Sequence, residues 1–488
     1  MPLSPSEIAA LMPLAIPAAA ACLLPLAGLD RDQDTVKWIR GSLFAMALFA
    51  LGGSFLYVTR LWGTRMQAGF GPLRMDSLAQ FAAIFVLVTA AMAVLQLWDH
   101  LQQEGWVKGE TLSLLMFSVT GMLVFASATN LMLLFLGLEL LSIPLYAMVG
   151  TVRQRAEALE GGAKYFITGA VASAIFLMGA VLLYGATGSL EIQQIGRQLS
   201  LRPDPIALAG AALLAVGFLF KISAVPFHQW TPDAYEASPH PVAAFMSVAT
   251  KGIALIALIR IFPAGLANPA VNARLQGAIA LVAALTLIAG NLTALAQQSV
   301  KRMLAYSSIA HAGYLLLGLV AGTSQAYTGV LFYLFAYMAM NMGAFGLLTA
   351  LGLLGEHCRF EDLRGLGWKR PGIGIAAAIC MFSLAGIPPT GGFYGKYMIF
   401  KELVHTGHVG LAVLGVLASL VSVYYYMRVV TALFMEKPKE GAECPVAPYA
   451  GATVLVCGLL ALAIGFAQTL LVDGFALRAI QDSLPFIP

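Results

Sequence analysis

Charge is what this sequence has least of: only 11% of its residues are Asp, Glu, Lys or Arg, against roughly a quarter in an ordinary soluble domain. With 59% hydrophobic residues and a mean hydropathy of +0.83, that shortage excludes a soluble globular chain and implies a polytopic membrane protein. The net charge of +4 is small and dispersed, with no basic tail, which excludes nucleic acid as a partner. Cysteine is also scarce and badly spaced. Cys22, Cys358, Cys380, Cys444 and Cys457 are odd in number, far apart and without a CxxC, so no disulfide framework is expected. The histidines show no metal or haem spacing beyond His405 and His408, which fall in a loop. No phosphate loop, dinucleotide fingerprint or GxSxG is present. The chain is therefore expected to carry no cofactor, metal or redox centre and to break no covalent bond itself. Its first apolar run, Ile8 to Leu26, has no basic residues before it and no small-residue cleavage site, so it reads as a retained helix.

What the chain has instead is long apolar segments. They fall at 7–28, 38–60, 76–98, 110–128, 130–151, 161–186 and 206–236, then 241–262, 275–297, 303–322, 326–354, 371–404, 408–435 and 448–473. At about 20 residues per crossing, that predicts an all-α protein of roughly fourteen transmembrane helices with no room for a soluble domain. Loops after odd-numbered segments hold about 16 Lys and Arg and the remainder about 9, which places the odd loops in the cytoplasm and both termini outside. Arg60, Arg65 and Arg74 pull the other way.

The seventh and twelfth segments are interrupted. The stretch from Phe218 to Lys251 runs from an apolar helix through Lys221, breaks at Pro226, turns polar and aromatic, and re-enters an apolar helix bearing Lys251. In the twelfth, Pro388, Pro389, Gly391 and Gly392 precede Lys396. The two break lysines are 396 − 221 = 175 residues apart, and Glu139 and His311 are 311 − 139 = 172 apart. Polar features recurring after five helices imply two five-helix repeats in opposite orientations, with discontinuous helices in matching places and an ion path between them. The expected organisation is 1–109 for the first three helices, 110–262 and 263–435 for the two inverted repeats, and 436–488 for the last helix.

Five residues are candidates for moving protons. A lysine near the middle of a bilayer costs roughly 3 kcal/mol, so an intramembrane charge is a functional candidate by default. Glu139 has no other Asp, Glu, Lys, Arg or His within ten residues on either side; it reads as a switchable carboxylate or as half of a structural ion pair. Lys221 directly precedes the break, where water can reach it, and Lys251 lies far from both ends of its helix; a buried lysine exchanges protons near neutrality, the alternative for either being a snorkelled or helix-dipole cation. Lys396 repeats the first situation, although Lys401 and Glu402 leave open a boundary position. His311 suits a proton relay, or is a packing residue among Ser307, Ser308 and Tyr314. His228, Trp230, Asp233, Glu236 and His240 are expected to cap and bond the unwound backbone. Tyr424, Tyr425 and Tyr426 sit where the repeat would place the counterpart of Lys251, or form an interfacial cluster.

Four motifs, FLGLELLSIPLYAMVG, VPFHQWTPDAYEASPHPVAAFMSVATK, VKRMLAYSSIAHAGY and GIPPTGGFYGK, together resemble the antiporter-like membrane subunits of bacterial NADH:quinone oxidoreductase, respiratory complex I. The resemblance runs from about residue 70 to 435. It implies fourteen helices with two inverted repeats, and a glutamate (Glu139) paired with a lysine before the first break (Lys221). It further implies a lysine continuing the polar axis (Lys251), a histidine in some members (His311) and a second-break lysine opening the exit (Lys396). NADH, FMN, iron–sulfur clusters and quinone are then implied on partner subunits, with adjacent membrane subunits and the lipid bilayer as partners. The lysine of GFYGK separates the chain from a sister type with glutamate there. The lack of a long C-terminal extension separates it from the distal type. His240 departs from the threonine usual between those prolines. Two other readings stay open: the lysine-bearing subunit of a multi-subunit sodium/proton antiporter, and a membrane scaffold that transports nothing.

Overall fold

The structure, a computed structural model, describes residues 4–27, 33–62, 69–103, 109–152, 155–201, 204–265, 269–352, 358–438 and 447–484. Arg65 and Cys444 lie outside them. The chain is helical nearly throughout. Its first half runs α1 (Pro5–Ala27), α2 (Gln33–Leu61), a two-residue-per-strand ribbon β1 (Gly69–Phe70) and β2 (Leu73–Arg74), α3 (Ser77–Gln103), α4 (Gly109–Ser127), α5 (Leu131–Val149), α6 (Ala156–Thr187), α7 (Ile192–Leu201), α8 (Pro205–Ile222) and α9 (Trp230–Ala237). Next come α10 (His240–Phe245), a π-helical turn (Met246–Thr250), α11 (Lys251–Gly265), α12 (Pro269–Leu295), α13 (Val300–Ala321) and α14 (Ser324–Ala350). A short α15 (Leu366–Lys369) precedes α16 (Pro371–Ala385), α17 (Gly391–His405), α18 (Val409–Phe434), α19 (Pro448–Phe466), α20 (Gln468–Leu471) and α21 (Leu477–Ser483).

Among the described residues, 13 helices are long and apolar enough to cross a membrane. The twelfth expected segment is two short helices, α16 and α17, neither of which reaches that length on its own merits. Local chemistry sets the ends. Asn130 caps α5, Asp204 caps α8 with Pro205 at its first position, and Ser299 and Thr323 cap α13 and α14 through side-chain oxygens. One element was not expected. Helix α7 buries Ile192, Ile195 and Leu199 while exposing Gln193, Gln194, Arg197 and Gln198, an amphipathic stripe of period 3.6.

The centre of the molecule is built from α3, the α10–α11 unit, α13 and α14, which are buried along nearly their whole length. Helices α2, α6, α12 and α18 are peripheral and present Phe49, Phe166, Leu281 and Leu420 outward. A buried ion pair fixes the far end of the α10–α11 unit: both Arg260 terminal nitrogens bond the Asp76 carboxylate, each at 2.6 Å. Burial alone would raise the Asp76 carboxyl, but the Arg260 charge and its hydrogen bonds, the Ala79 N–H and Arg74 outweigh it and hold it below the usual range. A depressed carboxylate contributes stability that is present above its unfolded value and lost as pH falls through the folded one. Arg260→Ala should therefore cost about 3–5 kcal/mol at neutral pH, read by thermal unfolding in detergent, because it strands a buried charge. The penalty should shrink in acid; an unchanged penalty there would contradict this account.

Two local patterns recur. The Leu131 N–H bonds Leu190 O at the start of α5, and the Val300 N–H bonds Cys358 O at the start of α13. Bridges join Asn130 to Glu191 and Ser299 to Arg359. Likewise α8 and α16 both end on a left-handed residue, Ser223 and Gly386, followed by Ala224 N–H to Leu219 O and Ile387 N–H to Phe382 O. This pairs the breaks at 387 − 224 = 163 residues, not 175. Lys221 then matches Leu384, and Lys396 lies beyond its break instead of before it. The lysines are not equivalent in register.

Candidate functional site

Lys221 is the penultimate residue of α8 and is buried. The break beyond it leaves backbone groups that side chains satisfy: Trp230 Nε1 donates to Phe220 O at 3.1 Å, and the Val225 N–H donates to Thr286 Oγ1 at 3.0 Å. Thr231 Oγ1 bonds Ser223 Oγ at 2.7 Å. The expected structural role of Trp230 is thus met. Asp233 pairs with Lys164 and Arg302, and Glu236 accepts from Ser299.

The Lys221 ammonium donates to Ser142 Oγ at 2.8 Å and to Tyr165 OH at 3.2 Å. No ion pair joins it to Glu139, contrary to the pairing the resemblance implied. Glu139 stands one turn before Ser142, half-buried, on the side of α5 that exposes Met132, Leu136 and Ile143. Its Oε1 is buried without a hydrogen-bond partner. It acts on Lys221 electrostatically while Ser142 makes the contact.

Lys251 follows immediately on the π turn, a bulge that re-aims the helix and recurs at functional sites. It is buried, donates to Ser308 Oγ at 2.7 Å, and lies 5.8 Å from the centre of the Tyr235 ring. Between Lys221 and Lys251 runs an aromatic bridge. Tyr165 stacks on Trp230 at 4.2 Å, and Trp230 meets Tyr235 at 6.1 Å.

His311 lies three residues after Ser308 on the same side of α13. Its Nδ1 is 2.6 Å from Tyr333 OH and its Nε2 3.0 Å from Tyr426 OH. A neutral imidazole has one donor and one acceptor nitrogen, so one tyrosine donates to it and the other accepts. Tyr426 OH also contacts Ser307 Oγ, and Tyr425 OH donates to Asn291 Oδ1 at 3.0 Å. Tyr424, by contrast, faces outward.

Lys396 sits in the second turn of α17 and reaches back across the break. Its ammonium donates to Leu384 O at 3.0 Å, Ala385 O at 3.2 Å and Ser419 Oγ at 2.9 Å. Those carbonyls are the unsatisfied C-terminal end of α16, the negative end of its dipole. It is also 4.6 Å from the Tyr314 ring centre. It is buried, and it helps line an open groove of about 780 Å³ between α17 and α18. All three lysines therefore rest on neutral acceptors. No group of three or more His, Cys, Asp or Glu able to hold a metal occurs among the described residues.

Sequence reasoning placed the charged groups, weighed Ser308 and Tyr314 only as packing around His311, and missed Ser142, Tyr165 and Tyr333. Of the three adjacent tyrosines it weighed, Tyr425 and Tyr426 join the cluster. Residues 128–422 match the profile of the NADH:quinone oxidoreductase/Mrp antiporter membrane family. The chain belongs to this family. Relatives named NADH-quinone oxidoreductase subunit N include one from Trichlorobacter lovleyi, 41% identical over 82% of this chain and 83% of its own length. Another, from Salinibacter ruber, is 40% identical over 90% and 87%. A chain of respiratory complex I from Thermus thermophilus with bound aureothin is 36% identical, with a TM-score of 0.81 over 95% of this chain and 99% of that one. A chain of an Mrp complex from a Dietzia species shares the fold, with a TM-score of 0.83 at 19% identity. The family's matched segment contains Glu139, Lys221, Lys251, His311 and Lys396 together.

Proposed function

We infer that this chain is a proton-translocating membrane-arm subunit of NADH:quinone oxidoreductase, of the N type. The observation that carries the mechanism is that Lys221, Lys251 and Lys396 are buried on hydroxyl and carbonyl acceptors, joined by tyrosines and His311, with no carboxylate in contact. A lysine so placed is free to change its charge, whereas one locked in an ion pair is not. The nearby carboxylate, Glu139, supplies the switch. A contact at about 4 Å in an effective dielectric near 20 is worth roughly 4 kcal/mol, about a thousandfold in proton affinity. Moving Glu139 into and out of contact would set whether Lys221 holds its proton. From Lys221 the proton passes beside Tyr165, Trp230 and Tyr235 toward Lys251, then by Ser308 and His311 to Lys396.

The redox chemistry belongs to other subunits, with NADH, FMN, iron–sulfur clusters and quinone there and none on this chain. The partners are the adjacent antiporter-like subunit, small membrane subunits and lipid. The setting is a bacterial inner membrane, with both termini on the periplasmic side. Within the chain, 110–262 and 263–435 act as the two inverted repeats, flanked by 1–109 and 436–488; the paired caps and bridges support that division.

Lys251→Ala tests the reading. In an assembled complex in inverted membrane vesicles, NADH-driven proton uptake should fall at least about tenfold, the usual scale for losing a positioned proton carrier. Unchanged pumping would favour a scaffold. The sodium/proton antiporter reading rests on the shared Mrp fold, and would require sodium to drive or inhibit transport through this chain.

A further inference from the structure

Away from the five relay residues, the wedge between α3, α10 and α14 collects buried polar atoms that lack a protein partner. They are Gln96 Oε1 and His100 Nδ1 on α3, and Tyr337 OH, Asn341 Oδ1 and Thr349 Oγ1 on α14. Gln96 and His100 are one turn apart. Tyr337, Asn341 and Thr349 fall on one four-residue row, so each set faces one way. From the opposite side, Asn341 Nδ2 donates to Ser247 Oγ at 2.5 Å, and the His100 and His240 rings lie 6.1 Å apart. Gln96 Nε2 donates to Met342 O at 3.0 Å and lies so close to Gly346 that a Cβ there would come within 2.7 Å of it. Buried polar groups nearly always have partners, and a row of them without protein partners calls for water as the partner.

The two ends of this file are informative. At one end, Ser247 lies inside the π turn that leads directly into Lys251. The other end holds the two imidazoles, near a charged surface pocket of about 160 Å³ lined by Glu157, Glu160, Lys164, Asp233, Glu236 and Arg302. Between them, Lys301 Nζ donates to Glu236 O at 2.7 Å and also bonds Ser238 O. The charged groups acting on His100 are Lys301 and Arg155. Asp99 is turned away toward α19, where it accepts from the Ala450 N–H at 2.8 Å.

We propose that His100 and His240 form a proton-loading pair that, through water held by Gln96, Asn341 and Ser247, feeds Lys251 from the charged pocket. The step is a hop: an imidazole takes a proton on one ring nitrogen and releases one from the other, with no other bond changed. From His240 to Lys251 the helix advances about 16 Å, a span for several hydrogen-bonded links. The pocket opens on the side that the Lys and Arg balance places in the cytoplasm, where a pump would load. This inference rests on the proton-translocating reading above.

The test uses the assembled complex in inverted vesicles, comparing NADH-driven pumping at about pH 6, where protons are abundant, and about pH 8.5, where they are scarce. With His100→Gln and His240→Thr together, supply to Lys251 should become limiting where protons are scarce. The expected loss is about tenfold at the higher pH and under about twofold at the lower. Gly346→Leu plugs the file beside Gln96 without touching a titratable group, and should slow pumping at both values. If the double variant does not assemble, His240→Asn and Gly346→Leu carry the test. Equal or absent effects at the two pH values from the histidine variants, or normal pumping with the plug, would overturn the inlet. Lys251→Ala separates the failures: if it stops pumping while these do not matter, only the inlet is wrong. If Lys251→Ala also pumps, the translocation reading itself falls.

Discussion

Lys221→Ala is expected to lower NADH-driven proton pumping at least about tenfold while the complex still assembles. The two halves of that outcome have separate causes. Pumping falls because Lys221 is the cation on which Glu139 acts and it bonds Tyr165 of the aromatic bridge, so without it a change at Glu139 is not passed on. Assembly survives because the ammonium's partners keep other anchors. Ser142 Oγ still donates to Leu138 O, and Tyr165 remains stacked on Trp230 at 4.2 Å and edge-on to Tyr146 at 4.5 Å. Removing a buried charge held only by neutral hydroxyls strands no counter-charge, which is where the large penalties arise. Native-gel analysis of assembly and vesicle acidification would be read from the same preparation. Normal pumping with normal assembly would end the case for Lys221 as a carrier.

The second large effect is structural and lies at the other break. Gly392→Ala should destabilise the chain by about 3 kcal/mol or more, at the upper end of what overpacking costs. A Cβ at Gly392 would stand 1.9 Å from Ser383 O, a backbone atom near the end of α16 that has no rotamer with which to retreat. The Gly392 N–H also donates to Ser383 Oγ at 3.1 Å, so α17 starts in direct contact with α16. Pushing the two apart would carry Lys396 away from Leu384 O and Ala385 O. Gly410→Ala is the control, since nothing lies within 4 Å of its Cβ position. Thermal unfolding of the two variants should separate them clearly; similar midpoints would show that the break yields more easily than the geometry indicates.

Much of this arrangement is legible in the sequence, for a reason that also marks the limit. Lys221, Lys251 and Lys396 stand out because a charge in an apolar run is costly and hence rare. The breaks stand out because proline and glycine interrupt the run. Ser142, Tyr165 and Tyr333 do not stand out, because a hydroxyl on an apolar helix is cheap and common. Only the fold shows that these ones meet a lysine or a histidine. The π turn before Lys251 has no residue signature at all. The 175-residue spacing misled because lysines were matched to lysines, while the backbone pairs the left-handed caps at Ser223 and Gly386. Helix α7 had a readable stripe at Ile192, Ile195 and Leu199, but it is too short to register among segments sought at membrane length. The Glu139–Lys221 contact is the clearest divergence: the family resemblance implied an ion pair, and Lys221 bonds Ser142 and Tyr165 instead.

Helix α13 deserves a last consequence. Ser308 holds Lys251, His311 lies between Tyr333 and Tyr426, and Tyr314 presents its ring to Lys396, all along one side of one helix. A small roll of that rod would loosen one contact as it tightened the next. Under the proposed relay, the three hand-offs would share one mechanical degree of freedom, like cams on a shaft, with their order set by the angular spacing of the side chains.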